Sequence, residues 1–381
     1  MTFYVRLYQD DDLSKFVELI NDQWMKNHVI LHKPLFDWQF GGFGYENKKI
    51  RSLVLFDNDH MIGFRGIIPG LYQVPLVDGT MQISKGGSNA MWIVHSDYRG
   101  KKLGLKLHLK AQKIFPVITG AGSKINTSVP FYLKSGFHMM KSLYRYIIPL
   151  NIKGYKKLLI EDVQLNDIIV WSKECDISKN SIKPCNIDLM ALSMLWKQVT
   201  FPLQLFSLYR NEEFWRWRYI ENIGFQYLMF GDPSDSGVIV ARIETADIED
   251  SKQIKVFRII EIIPKSEQAW IYKGEKKIES LLSGVLKWAQ NEGCVTADFF
   301  SSNMRFNKFL TNIGFRNQLK GKEVLSLVPM FSPFCTVVKL INVLYKINLP
   351  EYDFIRPNFE STYMVKSEND MDRPYDFNFF K

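Results

Sequence analysis

Arg99-Gly100-Lys101-Lys102-Leu103-Gly104 packs three basic side chains and two glycines into one short stretch. It follows the apolar run Ala90-Met91-Trp92-Ile93-Val94 and leads into the helix-like segment Gly104 to Lys113. That order predicts a strand, a tight turn and a helix start. Such a turn aims several backbone N–H groups at one spot, and the helix dipole adds partial positive charge there. Arg99, Lys101 and Lys102 add full charges. The chemistry on offer is capture of a pyrophosphate, and a pyrophosphate suggests a cofactor. An ordinary solvated helix start is the competing reading of the same residues.

A second segment narrows the choice. Asn126-Thr127-Ser128-Val129-Pro130-Phe131-Tyr132-Leu133-Lys134-Ser135-Gly136-Phe137 reads as a loop, a short helix and a glycine turn. Gly136 falls at the helix C′ position, where a positive φ is required. The two segments together resemble the GNAT acyltransferase superfamily, over about residues 45–150 with a lead-in from about residue 5. The resemblance implies that the turn Arg99–Gly104 holds the pyrophosphate of acyl-coenzyme A. It implies that the main chain of Trp92, Ile93 and Val94, together with Asn126, lines the pantetheine arm. Lys102 stands where the family's first glycine is usual; an αR lysine at the helix start is the expected accommodation. The resemblance also implies a tyrosine near the sulfur, Tyr132. A phenol with an ordinary pKa of about 10 stays protonated at neutral pH and suits a general acid for the departing thiolate. Packing under the short helix is its alternative use, as core packing is for the side chains of Trp92 and Val94.

Acyl transfer from a thioester to an amine also needs a polarised carbonyl and a deprotonated amine. Splaying of the strand before the turn would free an N–H near Met91 or Trp92 to polarise the carbonyl. The base is not legible. All six histidines, His28, His32, His60, His95, His108 and His138, lie in the first 150 residues. His95 is expected to face solvent or phosphate, and His108 the helix surface. His32 belongs to the aromatic stretch His32-Lys33-Pro34-Leu35-Phe36-Asp37-Trp38. With Asp37, Trp38 and Asn89 it forms the expected acceptor site, placed between two domains. No Gly-x-Ser-x-Gly elbow appears, which disfavours a serine nucleophile.

The elements that must position these groups follow from periodicity. Residues 3–8 read as a strand and Leu13 to Trp24 as a helix after Asp10-Asp11-Asp12. Hairpins are expected around Asn58-Asp59 and around Asp78-Gly79. Further on, Tyr227–Phe230, Gly237–Ile243, Val256–Ile263 and Val295–Phe300 read as strands, with helices over Ile278–Asn291 and Asn303–Ile313. The order helix, strand, Asn303, short helix, Gly314-Phe315 echoes the first half. A weak internal duplication is therefore expected: an α/β (α+β) chain of two tandem GNAT-like domains, each a mixed, mostly antiparallel sheet flanked by helices. The boundaries read as 1–150 for the acyl-CoA-binding domain, 151–210 for a linker and the start of the second domain, 211–330 for a degenerate copy, and 331–381 for a C-terminal helix and tail packed on the second domain. In the copy, Tyr272-Lys273-Gly274-Glu275-Lys276-Lys277 lacks the Arg-Gly and second glycine, and Phe309 lies near the place of Tyr132. No coenzyme A is expected there.

The chain has 381 residues and a net charge of +9, which favours anionic partners. Its four cysteines are scattered, so neither a zinc site nor a disulfide framework is expected. The tail Ser367-Glu368-Asn369-Asp370-Met371-Asp372-Arg373-Pro374 lacks the glycine and later glutamate of a calcium loop. It is expected to be a solvated turn, and no metal is expected. No signal peptide or membrane span is read, the apolar stretch Leu325–Tyr345 being broken by Pro329, Pro333 and Lys339; Phe334–Ile347 is expected as an amphipathic packing helix. The reading is a cytoplasmic N-acyltransferase that uses acyl-CoA as co-substrate, without nucleic acid. Its expected acceptor is a nucleotide-linked aminodeoxy sugar, such as dTDP-3-amino-3,6-dideoxyhexose, for surface polysaccharide (lipopolysaccharide O-antigen) synthesis. A Fem-type peptidyltransferase or a non-catalytic acyl-CoA-binding module remain open.

Overall fold

A computed structural model describes residues 3–46, 49–140, 143–157, 165–248, 252–266, 276–303, 306–317, 341–349, 353–370 and 372–374. The strands are β1 (Phe3–Leu7), β2 (Leu53–Asp57), β3 (His60–Pro75), β4 (Met81–Val94), β5 (Val117–Ala121), β6 (His138–Met140), β7 (Tyr144–Pro149), β8 (Ser207–Leu208), β9 (Leu228–Asp232), β10 (Gly237–Ile248), β11 (Lys252–Ile263), β12 (Cys294–Ser301), β13 (Arg316–Asn317) and β14 (Val343–Ile347). The helices are α1 (Leu13–Gln23), α2 (Lys33–Gly41), α3 (Leu103–Ile114), α4 (Ser128–Lys134), α5 (Ile152–Lys156), α6 (Leu165–Glu174), α7 (Leu189–Thr200), α8 (Glu212–Trp215), α9 (Lys276–Asn291) and α10 (Phe306–Ile313). A single π turn, Arg216–Ile220, follows α8.

The first sheet runs β1-β2-β3-β4-β5-β14-β6, with β8 added beside β3. Strand alternation sends successive residues to opposite faces. Val54, Phe56, Phe64, Met91 and Ile93 join Phe16, Leu35, Phe36 and Phe40 of α1 and α2. Leu53, Leu55, Ile62 and Ile67 face the other way, with Leu103 and Leu107 of α3 and Tyr132 of α4. The two expected hairpins share one long strand, β3, rather than standing apart. Pro69 does not break it because no described strand needs an N–H there: β2 pairs only as far as Arg65, and β8 starts at Tyr72.

The second sheet runs β13-β7-β12-β11-β10-β9. It repeats the first, and the repeat includes an exchange. Each half pairs two strands in parallel, β4 with β5 and β11 with β12. Each half then lacks a strand beside that pair and receives it from the other half. β7 leaves the first half to lie between β12 and β13, and β14 returns from the C-terminal part to lie between β5 and β6. The expected helix over Phe334–Ile347 is thus corrected at its end. Val343, Leu344, Tyr345 and Ile347 are buried as a strand because β5 and β6 both offer it unpaired edges. Residues 334–340, and the altered turn Tyr272–Glu275, lie outside the described residues.

Aromatic and ionic contacts lock the halves together. The indole N–H of Trp38 donates to the Trp217 carbonyl at 2.8 Å and that of Trp217 donates to the Trp38 carbonyl at 2.9 Å. On the second sheet lies a buried set of charges that ties the tail and Arg210 to it: Arg210 with Glu261 and Glu368, Arg242 with Glu244 and Asp372, and Arg258 and Arg145 with Asp298. The tail segment read as solvated is buried, with Ser367 and Asp372 at 0 % exposure. Glu368 and Asp372 are drawn in by arginines more than a hundred residues away in sequence.

Candidate active site

The site begins where β4 leaves β5. The two strands pair only from Gly86↔Val117 to Asn89↔Gly120, so among the described residues Ala90–Val94 runs on with no strand paired on that side. The same point carries a bulge against β3: Ile67 faces Asn89 and Gly66 faces Met91, leaving Ala90 unmatched. The extra residue resets the alternation, so Asn89 and Trp92 project from one face, opposite Ile67 and Arg65. The second half has the same bulge, at Ile260, between the pairs Ala241↔Ile259 and Val240↔Glu261. By this register Trp92 corresponds to Ile262. There the freed N–H of Ile262 points away from β10 and takes the Tyr363 hydroxyl as acceptor at 3.2 Å. In the second half the tail thus supplies a partner for this amide, and among the described residues no strand pairs there beside Trp92.

Past Val94 the chain makes a short 3-10 turn, Ser96–Tyr98, and then the basic turn. Gly100 has φ +79° and Lys102 φ +58°. Lys102 is therefore left-handed, not αR as the sequence suggested: the turn keeps the backbone shape a glycine would give, and the lysine bears the strain. It is the N-cap of α3 and supplies no side-chain acceptor to the helix. The first amides of α3, from Leu103 and Gly104 onward, thus have no intrahelical partner and no cap. Gly104 serves close packing, since a Cβ there would lie 3.3 Å from Trp92 Nε1 and 3.4 Å from Val94 Cγ2. Arg99 is turned back: its Nε donates to the Val94 carbonyl at 3.0 Å and Nη2 to Gln23 Oε1 at 3.3 Å. It pins the turn to the strand end and to α1. Lys101 Nζ lies 5.0 Å from the centre of the Tyr98 ring. Asn126 is exposed in the turn before α4, where the Lys124 carbonyl accepts from Ser128 N at 3.0 Å.

Tyr132 sits on α4 with its ring edge-on to Trp92, His108 and Phe137. Gly136 ends that helix at φ +86°. Sequence reasoning missed the partner of the phenol: Arg65, only 1 % exposed, donates from Nη2 to Tyr132 Oη at 2.6 Å. Its guanidinium also lies 4.5 Å from the centre of the Trp92 ring. A lone arginine in the apolar run Met61–Leu71 was the available signal. His108 is buried, not on the helix surface. Its Nε2 is engaged by Ser135 Oγ at 2.7 Å and Gln112 Nε2 at 2.9 Å. Burial, with Arg65 and Lys346 nearby, pushes its pKa down to about 3, so the ring stays neutral. Lys346 of β14 donates to Gln112 Oε1 at 2.5 Å and to the Ser135 carbonyl at 2.9 Å, tying the inserted strand to α3 and α4. Counted from the C′ glycines, Tyr132 corresponds to Leu310, the residue after Phe309. Phe137 N donates to the Tyr132 carbonyl as Phe315 N donates to that of Leu310.

The expected acceptor residues have these surroundings. Trp38 is stacked on Trp217 at 5.2 Å, with the Arg218 guanidinium 5.4 Å from its ring centre; its faces are used by the domain contact. Asp37 is half-exposed and pairs with Lys33 one turn earlier. His32 is the N-cap of α2 and makes no side-chain cap bond. Asn89 is different: it is 8 % exposed, and among the described residues neither end of its amide has a hydrogen-bond partner. It stands where β4 and β5 part. His95 bridges to Asp22 at 3.2 Å, away from the open strand.

The fold is that of the GNAT N-acyltransferases, in its two-domain form. Saccharomyces cerevisiae N-myristoyltransferase with bound myristoyl-CoA superposes with a TM-score of 0.55 at 10% identity, covering 95% of this chain and 89% of that one. A GCN5-related N-acetyltransferase from Anabaena variabilis gives 0.54 at 12% identity, over 91% of this chain and 73% of that one. A conserved protein from Enterococcus faecalis V583 gives 0.56 at 10% identity, over 91% and 73%. No family model matches the chain, and no curated protein matches it. Among the described residues, no helix is long and apolar enough to cross a membrane.

Proposed function

We propose that this protein is an acyl-CoA-dependent N-acyltransferase whose donor site is the first half. The observation that carries the reading is the uncapped start of α3, held in left-handed geometry at Lys102 and placed directly after the unpaired end of β4. A pyrophosphate at that helix start lets the pantetheine arm run along Ala90–Val94. By the internal repeat, the amide of Trp92 is the free donor there, suited to the thioester carbonyl. Leu103, Gly104 and the Lys101 and Lys102 side chains hold the phosphates, with Arg99 and Gly100 shaping the turn and Asn126 at the rim. Tyr132 is the acid for the leaving thiolate.

The acceptor we propose is an amine on a nucleotide-linked aminodeoxy sugar, in the synthesis of surface polysaccharide. The excess of basic residues supports an anionic acceptor as well as an anionic donor. Asn89, with a buried amide lacking partners, is the group we assign to acceptor recognition. The test is release of free thiol from acetyl-CoA and from longer acyl-CoA thioesters on addition of aminodeoxy-sugar nucleotides, with peptides carrying a free N-terminus as the competing acceptors. Thiol release with the sugar nucleotides and a product heavier by the acyl group support the reading. Release with peptides alone overturns the acceptor, and no coenzyme A binding at all overturns the donor site.

A further inference from the structure

Arg65 is a buried cation with no acid beside it. Among the described residues no carboxylate forms an ion pair with it, its Nε has no partner, and the one hydrogen bond it makes is to the Tyr132 oxygen. Burying a guanidinium on those terms is costly, and the contacts with the Trp92 and Tyr132 rings at 4.5 and 5.5 Å return only part of that cost. The fold itself does not ask for it. The internal repeat supplies the comparison: in the second half the pair Ile239↔Ile262 occupies the register of Arg65↔Trp92, and Leu310 occupies that of Tyr132. The same architecture is built there with apolar residues at all three places. At these three places arginine, tryptophan and tyrosine stand in the half with the basic turn, and isoleucine, isoleucine and leucine in the other.

The chemistry of the contact has a direction. A phenol oxygen that accepts an N–H from arginine keeps its own proton free to donate elsewhere. We infer that Arg65 is the positioning residue that makes Tyr132 an acid: it orients the phenolic O–H away from the guanidinium and receives the charge of the phenolate left behind. This rests on the acyltransferase reading above. In the step itself the amine nitrogen bonds to the thioester carbon and the carbon–sulfur bond breaks. Sulfur takes the proton of Tyr132 Oη. The phenolate forms against Arg65, and the proton lost by the amine returns to it through water. Charge passes from sulfur to an oxygen already touching a cation, so no ion forms without a counter-ion beside it.

The experiment is a double-mutant comparison in kcat for thiol release, with Arg65→Met made in the wild-type chain and in Tyr132→Phe. Arg65→Met alone is expected to lower kcat about ten- to a hundredfold, no more than the lower end of a full general acid contribution of roughly a hundred- to ten-thousandfold because the phenol itself remains, while the KM for acyl-CoA stays within about twofold. Arg65→Lys is expected to restore part of the loss. In the Tyr132→Phe background the further loss from Arg65→Met is expected to be under about twofold, because the group it acts through is already gone. A merely structural arginine would cost the same factor in both backgrounds, and that result overturns the proposal, as does an undiminished kcat in Arg65→Met. If the methionine variant does not fold, Arg65→Gln, which keeps an N–H donor without the charge, serves in the same comparison with the same criterion. Wild-type protein that releases no thiol overturns this inference together with the acyltransferase reading; wild-type turnover with additive losses overturns this inference alone.

Discussion

Lys102 pays for the shape of the turn, and replacing it with glycine measures how much. Its φ of +58° and ψ of 13° place an L-residue in the left-handed region, at a cost of roughly 1–2 kcal/mol. Glycine removes that cost but loses more backbone freedom on folding, about 0.5–1 kcal/mol. The net expectation for Lys102→Gly is a gain of about 0.5–1 kcal/mol. With unfolding entropy near 2.1 cal/mol/K per residue, a chain of this length has about 0.8 kcal/mol/K in all, so the gain moves Tm by only ~1 °C. The control is Lys102→Ala, which removes the same charge and keeps the left-handed strain. Glycine and alanine variants should therefore lose the same modest amount of coenzyme A affinity, less than about tenfold and shrinking with added salt. They should differ from each other by about 1 kcal/mol in stability, glycine being the more stable. Differential scanning fluorimetry and calorimetric titration with coenzyme A read both quantities. An alanine variant as stable as the glycine variant would refute the left-handed turn, and with it the phosphate cradle built on it.

Gly104→Glu should abolish coenzyme A binding in a protein that still melts cooperatively, since its side chain adds a negative charge at the helix start and must displace Trp92 or Val94; unchanged calorimetric affinity in the folded variant would remove the donor site from this turn. Tyr132→Phe should lower kcat about ten- to a thousandfold with coenzyme A affinity nearly constant; full kcat in the stable variant would leave the phenol a packing role only. His28 gives a pH signature: burial, then the Arg373 charge, pushes its pKa down to about 3. Between pH 3 and about 6.5 the unfolded chain then binds a proton that the fold refuses, so stability falls as pH drops through that window. His28→Asn keeps an acceptor for the Ile30 amide and should flatten the fall in urea midpoints between pH 7 and 5; an unaltered slope would show that other groups govern it.

What the sequence made legible was local. Gly136 at a helix end, the Asp78-Gly79 turn and the basic turn before α3 depend on neighbours within a few residues, and all are present as turns in the structure. What it hid depends on register and on distant partners. Counting pairs back from Asp78-Gly79 sets Arg65 opposite Met91 and leaves Trp92 on the other face. The extra residue at Ala90 moves Arg65 opposite Trp92, and no residue type announces that bulge. Val343–Ile347 has apolar residues that suit a helix face as well as a strand, and only the bare edges of β5 and β6 decide between them. Asp372 and Glu368 look solvated until Arg242 and Arg210 are brought to them by the fold. The shape of the basic turn was thus readable, and the partner of the Tyr132 phenol was not.

The crossing of β7 and β14 between the halves sets a clock on the molecule's birth. As the chain leaves the ribosome, β5 and β6 appear early, yet the strand that lies between them is among the last segments to be made. Until Val343–Ile347 arrives, both edges stand unpaired, and bare edges invite association with other nascent chains. The helix that opens on the candidate phosphate turn waits too, because Lys346 is what fastens Gln112 of α3 to the Ser135 turn after α4. β7 in turn waits for β12. Neither half can finish before the other, so a product stopped before residue 343 would carry every residue of the donor turn and still lack the strand that braces it.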